Sequence, residues 1–214
     1  RLADTVGAFN PVQTFDLVSQ VRNRVRSLAL DYHAHNDLGM ATANSLTALY
    51  AGANSVNVTV NGIGERAGNA ALEEVVMAVV RSGVFGCRVD TRTLSELSQA
   101  VARASGRMPG PAKPVVGSEV FHHESGIHVR ALQQEPDSYE LFHPEEVGAP
   151  ARRYVIGKHS GYASLRAFFS REGHGGKRDV PPWMLSMVKR ESVRLKRSLT
   201  SSEVELLYKS SEGK

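Results

Sequence analysis

The stretch LALDYHAHNDLGMATANSLTALYAGANSVNVTVN, residues 28–61, changes its hydrophobic period twice. Leu28, Leu30, Tyr32 and Ala34 alternate with Ala29, Asp31, His33 and His35. That is the period of a strand, and it puts Asp31, His33 and His35 on one face. Ala43, Leu46, Leu49 and Tyr50 then recur at helical spacing and stop at Gly52. Val56, Val58 and Val60 alternate with Asn57, Thr59 and Asn61, a second strand with a polar face. Strand, helix and strand in this order predict a parallel β/α architecture.

The pattern continues on both sides. Upstream, Asp4-Thr5-Val6-Gly7 closes a strand, and Phe15, Leu17, Val18, Val21 and Val25 mark the helix after it. Downstream, Ala70, Leu72, Val75, Val76, Val79 and Val80 form another helical stripe ending at Gly83. Thr5 to His33 is 28 positions and His33 to Thr59 is 26, against about 31 per unit in a (β/α)8 barrel of about 250 residues. The expected fold class is therefore α/β: about three βα units from the C-terminal part of a (β/α)8 barrel, the first of them cut. A start at Arg1-Leu2 without Met predicts a fragment that cannot close a barrel alone.

The character changes after Arg88. Thr93-Leu94-Ser95-Glu96 has the capping-box pattern, with Leu94, Leu97 and Val101 expected inward. The breaker-rich run Met108-Pro109-Gly110-Pro111-Ala112-Lys113-Pro114 sets the expected boundary, giving a barrel part at 1–107 and a linker with a small, mostly helical α+β domain at 108–214. In the second part we expect a short apolar strand at 154–156, and a second capping box, Thr200 to Glu203, before Val204, Leu206 and Leu207.

Composition narrows the function classes. At 41% hydrophobic and 22% charged residues, the chain reads as a globular protein. No stretch approaches the ~20 apolar residues of a membrane span, so no membrane partner is expected. A lone cysteine, Cys87, cannot form an internal disulfide and fits the cytoplasm. The net charge of +4 comes largely from Lys177, Arg178, Lys189, Arg190, Arg194, Lys196 and Arg197, with few aromatics between them. That reads as a solvated helix face and not as a nucleic-acid surface.

Four segments carry candidate chemistry. His33 and His35, at i and i+2 on the C-terminal end of a strand, can meet one divalent ion where barrel enzymes place their sites. No carboxylate ligand is evident: Asp31 is one pleat deeper and Asp37 lies beyond the strand. Asn61-Gly62-Ile63-Gly64-Glu65-Arg66-Ala67-Gly68-Asn69 is either a loop whose amides approach an anion, or an ordinary turn with Glu65 and Arg66 paired. The histidines of Phe121-His122-His123-Glu124-Ser125-Gly126-Ile127-His128 are either general acids and bases or structural. Gly157-Lys158-His159-Ser160-Gly161 is a basic turn before a helix.

Taken together, DTVG (4–7), HAHNDLGMATANSL (33–46), NGIGERAGNAALEE (61–74), HESGIH (123–128) and GKHSG (157–161) resemble the homocitrate synthase and 2-isopropylmalate synthase family. The resemblance implies a metal-dependent acyltransferase in which a 2-oxo acid chelates a divalent metal (Mn, Mg, Zn or Fe). Acetyl-CoA is deprotonated, its enolate attacks the ketone, and the thioester is hydrolysed. It implies that His33 and His35 ligate the metal and that Asn69 lies close to it or to its water. It also implies that Thr5 binds the oxo-acid carboxylate, and that His128 and Tyr139 move protons from the second domain into a partner's barrel, in a domain-swapped homodimer. The family's first-strand Arg, Asp ligand and Glu have no counterpart here, which implies a missing N-terminal barrel half. Asp31 stands where Glu is usual, and Arg130 where Asp or another small polar residue is expected. The tail VKRESVRLKRSLTSSEVELLY, after which the chain stops about 53 residues past GKHSG, resembles homocitrate synthases of the nitrogen-fixation type. The expected substrates are acetyl-CoA and 2-oxoglutarate, with a 2-isopropylmalate or citramalate synthase as the alternative. A non-catalytic half-subunit that needs a separate N-terminal chain is the third reading.

Overall fold

The structure, a computed structural model, describes residues 1–125, 131, 139–171 and 180–210. It divides into two compact units: Arg1–Val120 with Glu145–Ala149, and Phe121–Pro144 with Pro150–Lys214.

In the first unit β1 (Leu2–Asp4), α1 (Pro11–Arg24), β2 (Asp31–Ala34), α2 (Ala41–Tyr50), β3 (Ser55–Asn57), α3 (Leu72–Ser82) and α4 (Leu94–Ser105) follow one another. The three strands form a parallel sheet in the order β1-β2-β3, with His33 paired to Ala3 on one side and Asn57 on the other. Tyr32 and Ala34 are fully buried, and with Val18, Ala41, Ala48 and Ala70 they make the centre of the core. The Tyr32 hydroxyl meets Thr14 Oγ1 of α1 at 3.3 Å.

The strands are shorter than the alternation suggests. Leu28 is exposed. The sheet ends at Asn57 because residue 59 pairs elsewhere: Thr59 N donates to Ala70 O at 3.0 Å, and Leu72 N donates to Thr59 O at 2.9 Å. Val60–Gly62 is a 3-10 turn. Helix α2 turns inward not Ala43 and Tyr50, which are exposed, but Ala41, Asn44, Ser45 and Ala48. These small side chains bring α1 close, and Asn44 Nδ2 donates to Phe9 O at 2.6 Å.

The capping box expected at Thr93 does not form. Thr93 Oγ1 donates to Asp90 O at 2.8 Å, and the Asp90 carboxylate caps a preceding 3-10 turn by accepting from Arg92 N. Leu97 is correspondingly exposed, and α4 buries Leu94, Ser95, Ser98 and Ala102. The first unit also takes in the breaker-rich stretch up to Val120. Lys113 Nζ there meets Glu73, which is 1% exposed, at 3.1 Å, and also pairs with Glu74. Burial alone pushes the Lys113 ammonium down, but the two carboxylates outweigh it and hold its pKa above the ordinary value.

The loop 61–69 is closed on itself and clamped to β2. Gly68 N donates to Glu65 O, Asn69 N to Gly62 O, and Asn36 N to Gly68 O. Gly68 has φ +87°, and a Cβ there would be driven into the Gly62 carbonyl.

In the second unit β4 (His122–His123) pairs in parallel with β5 (Arg153–Tyr154), so the strand expected at 154–156 begins one residue earlier and is shorter. Helices α5 (Tyr162–Arg171), α6 (Pro182–Leu195) and α7 (Ser201–Lys209) enclose Ile156, Leu165, Phe168, Met184, Val188 and Val204. The Thr200–Glu203 capping box is present: Thr200 Oγ1 accepts from Glu203 N, and Glu203 Oε2 accepts from Thr200 N. Arg197 forks onto the same carboxylate at 2.9 and 2.7 Å. Among the described residues no helix is long and apolar enough to cross a membrane.

Two predictions follow from these local geometries. The Arg197 hydrogen bonds, followed by the Thr200 amide, hold the Glu203 carboxyl at about 2, below its ordinary 4.5. A depressed folded-state pKa gives stability that is present above the ordinary value and lost as pH falls through the folded one. Between pH 4.5 and about 2 the thermal midpoint read by circular dichroism should therefore fall less in E203Q than in the parent chain. For the loop, Gly68→Ala should cost about 2 kcal/mol or more in urea denaturation. Gly39→Ala, at φ +73° with nothing within 4 Å of its Cβ, should cost only about 1 kcal/mol.

Candidate functional site

Asp4, at the end of β1, is 4% exposed, and its two carboxylate oxygens accept from Ala8 N and Phe9 N at 3.0 Å each. Its carbonyl accepts from Gly7 N and His35 N. This buried anion folds the DTVG turn over and ties it to the end of β2. Thr5 is exposed at the head of that turn.

The pleat of β2 puts His33 and His35 on the face opposite Tyr32 and Ala34. Their rings lie edge to face, with centroids 5.0 Å apart. His35 forms a bridge with Asn69, so the last residue of the glycine-rich loop lies beside the imidazole pair. Asn69 Nδ2 donates to Ile63 O at 3.0 Å. Two buried atoms here have no hydrogen-bond partner, His33 Nδ1 and Asn69 Oδ1. Buried polar atoms are normally satisfied, so this pair fits an electrophile such as a divalent cation.

No carboxylate completes the set. Among the described residues no group of three His, Cys, Asp or Glu side chains could hold a metal ion. Asp31 accepts from Arg1 Nε at 2.6 Å and Ser55 Oγ at 2.8 Å. Burial raises its pKa, but the Ser55 hydroxyl and the Arg1 guanidinium together bring it below the ordinary value. Asp37 is engaged by Arg66 through Nε at 2.8 Å and Nη2 at 3.0 Å, and that fork holds its carboxyl below the ordinary range. Both acids are committed to arginines.

The Glu65–Arg66 pair that one of the two readings of this loop expected is present, but Arg66 reaches further. Its expected partner Glu65 lies 3.8 Å away and is largely exposed, while the guanidinium reaches Asp37, Thr5 O at 2.8 Å and His35 Nδ1 at 3.0 Å. The alternative of a loop whose amides bind an anion is equally altered: Gly68 N and Asn69 N are spent on carbonyls within the loop.

In the second unit the HESGIH and GKHSG strings meet through Glu124. Its Oε1 accepts from His159 N at 2.7 Å, and its carbonyl accepts from Ser160 Oγ at 3.3 Å and Ser164 Oγ at 3.1 Å. Tyr139 is 47% exposed, with its ring 6.1 Å from that of His123. His123 Nε2 lies 2.9 Å from Glu140 Oε1, and Arg152 donates to Glu140 Oε2 at 2.7 Å. Glu124 and Glu140 carry no local signal beyond their place inside or beside a motif. His128 and Arg130 lie outside the described residues.

Comparison with known proteins follows this division. Residues 1–101 match the HMGL-like family model, and residues 115–177 match the model described as homocitrate synthase post-HMGL domain-like. A 2-isopropylmalate synthase 2 of Caldanaerobacter subterraneus subsp. tengcongensis is 46% identical over 97% of this chain and 54% of its own length. A homocitrate synthase 1 of Nostoc sp. is 47% identical over 98% of this chain and 55% of its own. For a homocitrate synthase of Methanosarcina mazei the figures are 45%, 96% and 50%. The chain thus spans about half the length of the curated relatives it matches. Among solved structures, an HMG-CoA lyase from Acinetobacter baumannii is 30% identical, with a TM-score of 0.47, over 52% of this chain and 38% of that one. Two family models thus match this chain in succession, one over residues 1–101 and the other over residues 115–177.

Proposed function

We propose that this chain is part of an acyltransferase that condenses acetyl-CoA with a 2-oxo acid, 2-oxoglutarate in the first place, and releases homocitrate and CoA. The observation that carries the reading is the imidazole pair at the end of β2, with the unsatisfied Asn69 amide oxygen beside it. The match of residues 115–177 supports the same reading.

A divalent metal, when bound, polarises the keto oxygen and stabilises the developing alkoxide. His33 and His35 would hold it, and Asn69 would stand at its side, directly or through water. A carboxylate ligand has to come from outside the described residues. Thr5, at the exposed head of the DTVG turn, would orient the oxo acid through its carboxylate. Tyr139 and His128 would move the proton at the acetyl methyl group. In the same proposal they serve the barrel of a second copy, in a domain-swapped homodimer, and the enzyme works in the cytoplasm. The similarity of the tail to homocitrate synthases of the nitrogen-fixation type supports nitrogenase cofactor assembly as the use of the product. One observation favours a second reading: the 2-isopropylmalate synthase relative matches nearly as closely as the homocitrate synthase from Nostoc.

Release of free CoA decides between them. Alone, the 214-residue chain should show no turnover. Reconstituted with a polypeptide that supplies the remaining barrel strands and a carboxylate ligand, it should favour 2-oxoglutarate over 2-oxoisovalerate and pyruvate by at least about tenfold. His33→Ala should lower that rate by at least about a hundredfold. A preference for 2-oxoisovalerate would transfer the assignment to isopropylmalate synthesis. Homocitrate formation by the lone chain would remove the need for an added ligand.

A further inference from the structure

The geometry points to Arg66 as a gate on the imidazole pair: it fixes which nitrogen of His35 carries a lone pair, and it covers that nitrogen against a cation. This inference rests on the reading of His33 and His35 as cation ligands. A guanidinium has only N–H donors and no acceptor. Its contact with His35 Nδ1 at 3.0 Å therefore requires a lone pair on Nδ1, and in the neutral ring the proton then sits on Nε2. A metal-bound histidine likewise keeps its ligating nitrogen bare and donates through the other, so the tautomer held here offers Nδ1 to a cation only when the guanidinium leaves it. In the arrangement found here the bare nitrogen of His35 faces a cation that is already part of the protein.

The arrangement is built to release. Arg66 Nη2 has two N–H groups but three acceptors, Thr5 O at 2.8 Å, Asp37 Oδ2 at 3.0 Å and His35 Nδ1 at 3.0 Å. Leaving His35 costs Nη2 none of its bonding capacity. The second bond to Asp37, through Nε at 2.8 Å, does not involve Nη2. Arg66 also lines an open cavity of about 700 Å³ with Ile63, Gly64, Glu65, Ser105 and Arg107, so the guanidinium has room to withdraw. Its backbone sits at φ +52°, a conformation that a non-glycine residue keeps only where surrounding contacts hold it. Asp37 and Arg66 therefore act with opposite sign on one imidazole. The carboxylate draws the guanidinium away from His35, and the guanidinium opposes the cation.

Two variants of this pair test the gate. Mn²⁺ binding to the 214-residue chain, reconstituted with the polypeptide that supplies the remaining strands and the carboxylate ligand, would be followed by electron paramagnetic resonance, and the His35 tautomer by long-range ¹H–¹⁵N correlation in the absence of metal. Arg66→Gln should tighten Mn²⁺ binding by at least about fivefold, the equivalent of one ordinary hydrogen bond removed. It should also shift His35 from the Nε2–H form towards a mixture of tautomers. Asp37→Asn removes the charge that draws the guanidinium from His35, so it should weaken Mn²⁺ binding several-fold while His35 stays in the Nε2–H form. A merely structural role for the ion pair would move both variants in the same direction, and that result overturns the gate. An unchanged tautomer in Arg66→Gln overturns it as well. If no form binds Mn²⁺ while the tautomer still responds to Arg66→Gln, the cation reading itself fails and the gate fails with it.

Discussion

Two-sided pairing of β2 is the constraint on which the first unit depends. A strand hydrogen-bonded to neighbours on both edges cannot slip by one residue without exchanging its faces. With His33 in register with Ala3 and Asn57, Tyr32 and Ala34 must point to the helices, and His33 and His35 must point the other way. The Tyr32–Thr14 contact and the full burial of Ala34 penalise any other register. The imidazoles are thus presented by the core: the same burial that stabilises the sheet fixes where the histidines stand.

What the pleat presents, the flanking loops finish. Asp4 spends both carboxylate oxygens on the amides of its own turn and its carbonyl on the amide of His35. The loop 61–69 bonds Gly68 N and Asn69 N to its own carbonyls and accepts from Asn36 N just beyond β2, which leaves Asn69 beside His35. Neither loop needs a ligand to hold its form. The site is preorganised by ordinary backbone bonding, and Arg66 is its one charged element that contacts an imidazole directly.

The alternation of residues 30–35 was readable because a period of two is local and both pairing partners respect it. So was the Thr200–Glu203 box, whose partners lie three residues apart. The inward face of α2 was not, since Asn44 is buried only because Phe9 O, 35 positions earlier, takes its amide. The end of β3 depended on Thr59 being claimed by residues 70 and 72. The false capping box at Thr93 had a nearer competitor in Asp90. Arg66 shows the same limit at the site. Its pairing with the neighbouring Glu65 is present at 3.8 Å, but its tighter partner is Asp37, 29 positions away. Sequence proximity identifies charges, but a competition among distant acceptors decides their partners.

That competition also separates structural charge from chemical capacity. Asp31, Asp37, Glu124 and Glu140 are the acids a sequence reader would enlist for catalysis, and each already accepts from a guanidinium, a hydroxyl or a backbone amide. For Asp31 and Asp37 that engagement holds the carboxyl below its ordinary range and so lowers the basicity that acid–base work would use. The unsatisfied atoms of helices α2 and α4, Asn44 Oδ1, Ser45 Oγ and Ser95 Oγ, belong to residues packed in the core. His33 Nδ1 and Asn69 Oδ1 are buried as atoms too, but they belong to half-buried residues at the end of the sheet. At the end of this sheet the unsatisfied atoms are those of the imidazole and amide groups, and the charged groups with filled valences form the frame around them.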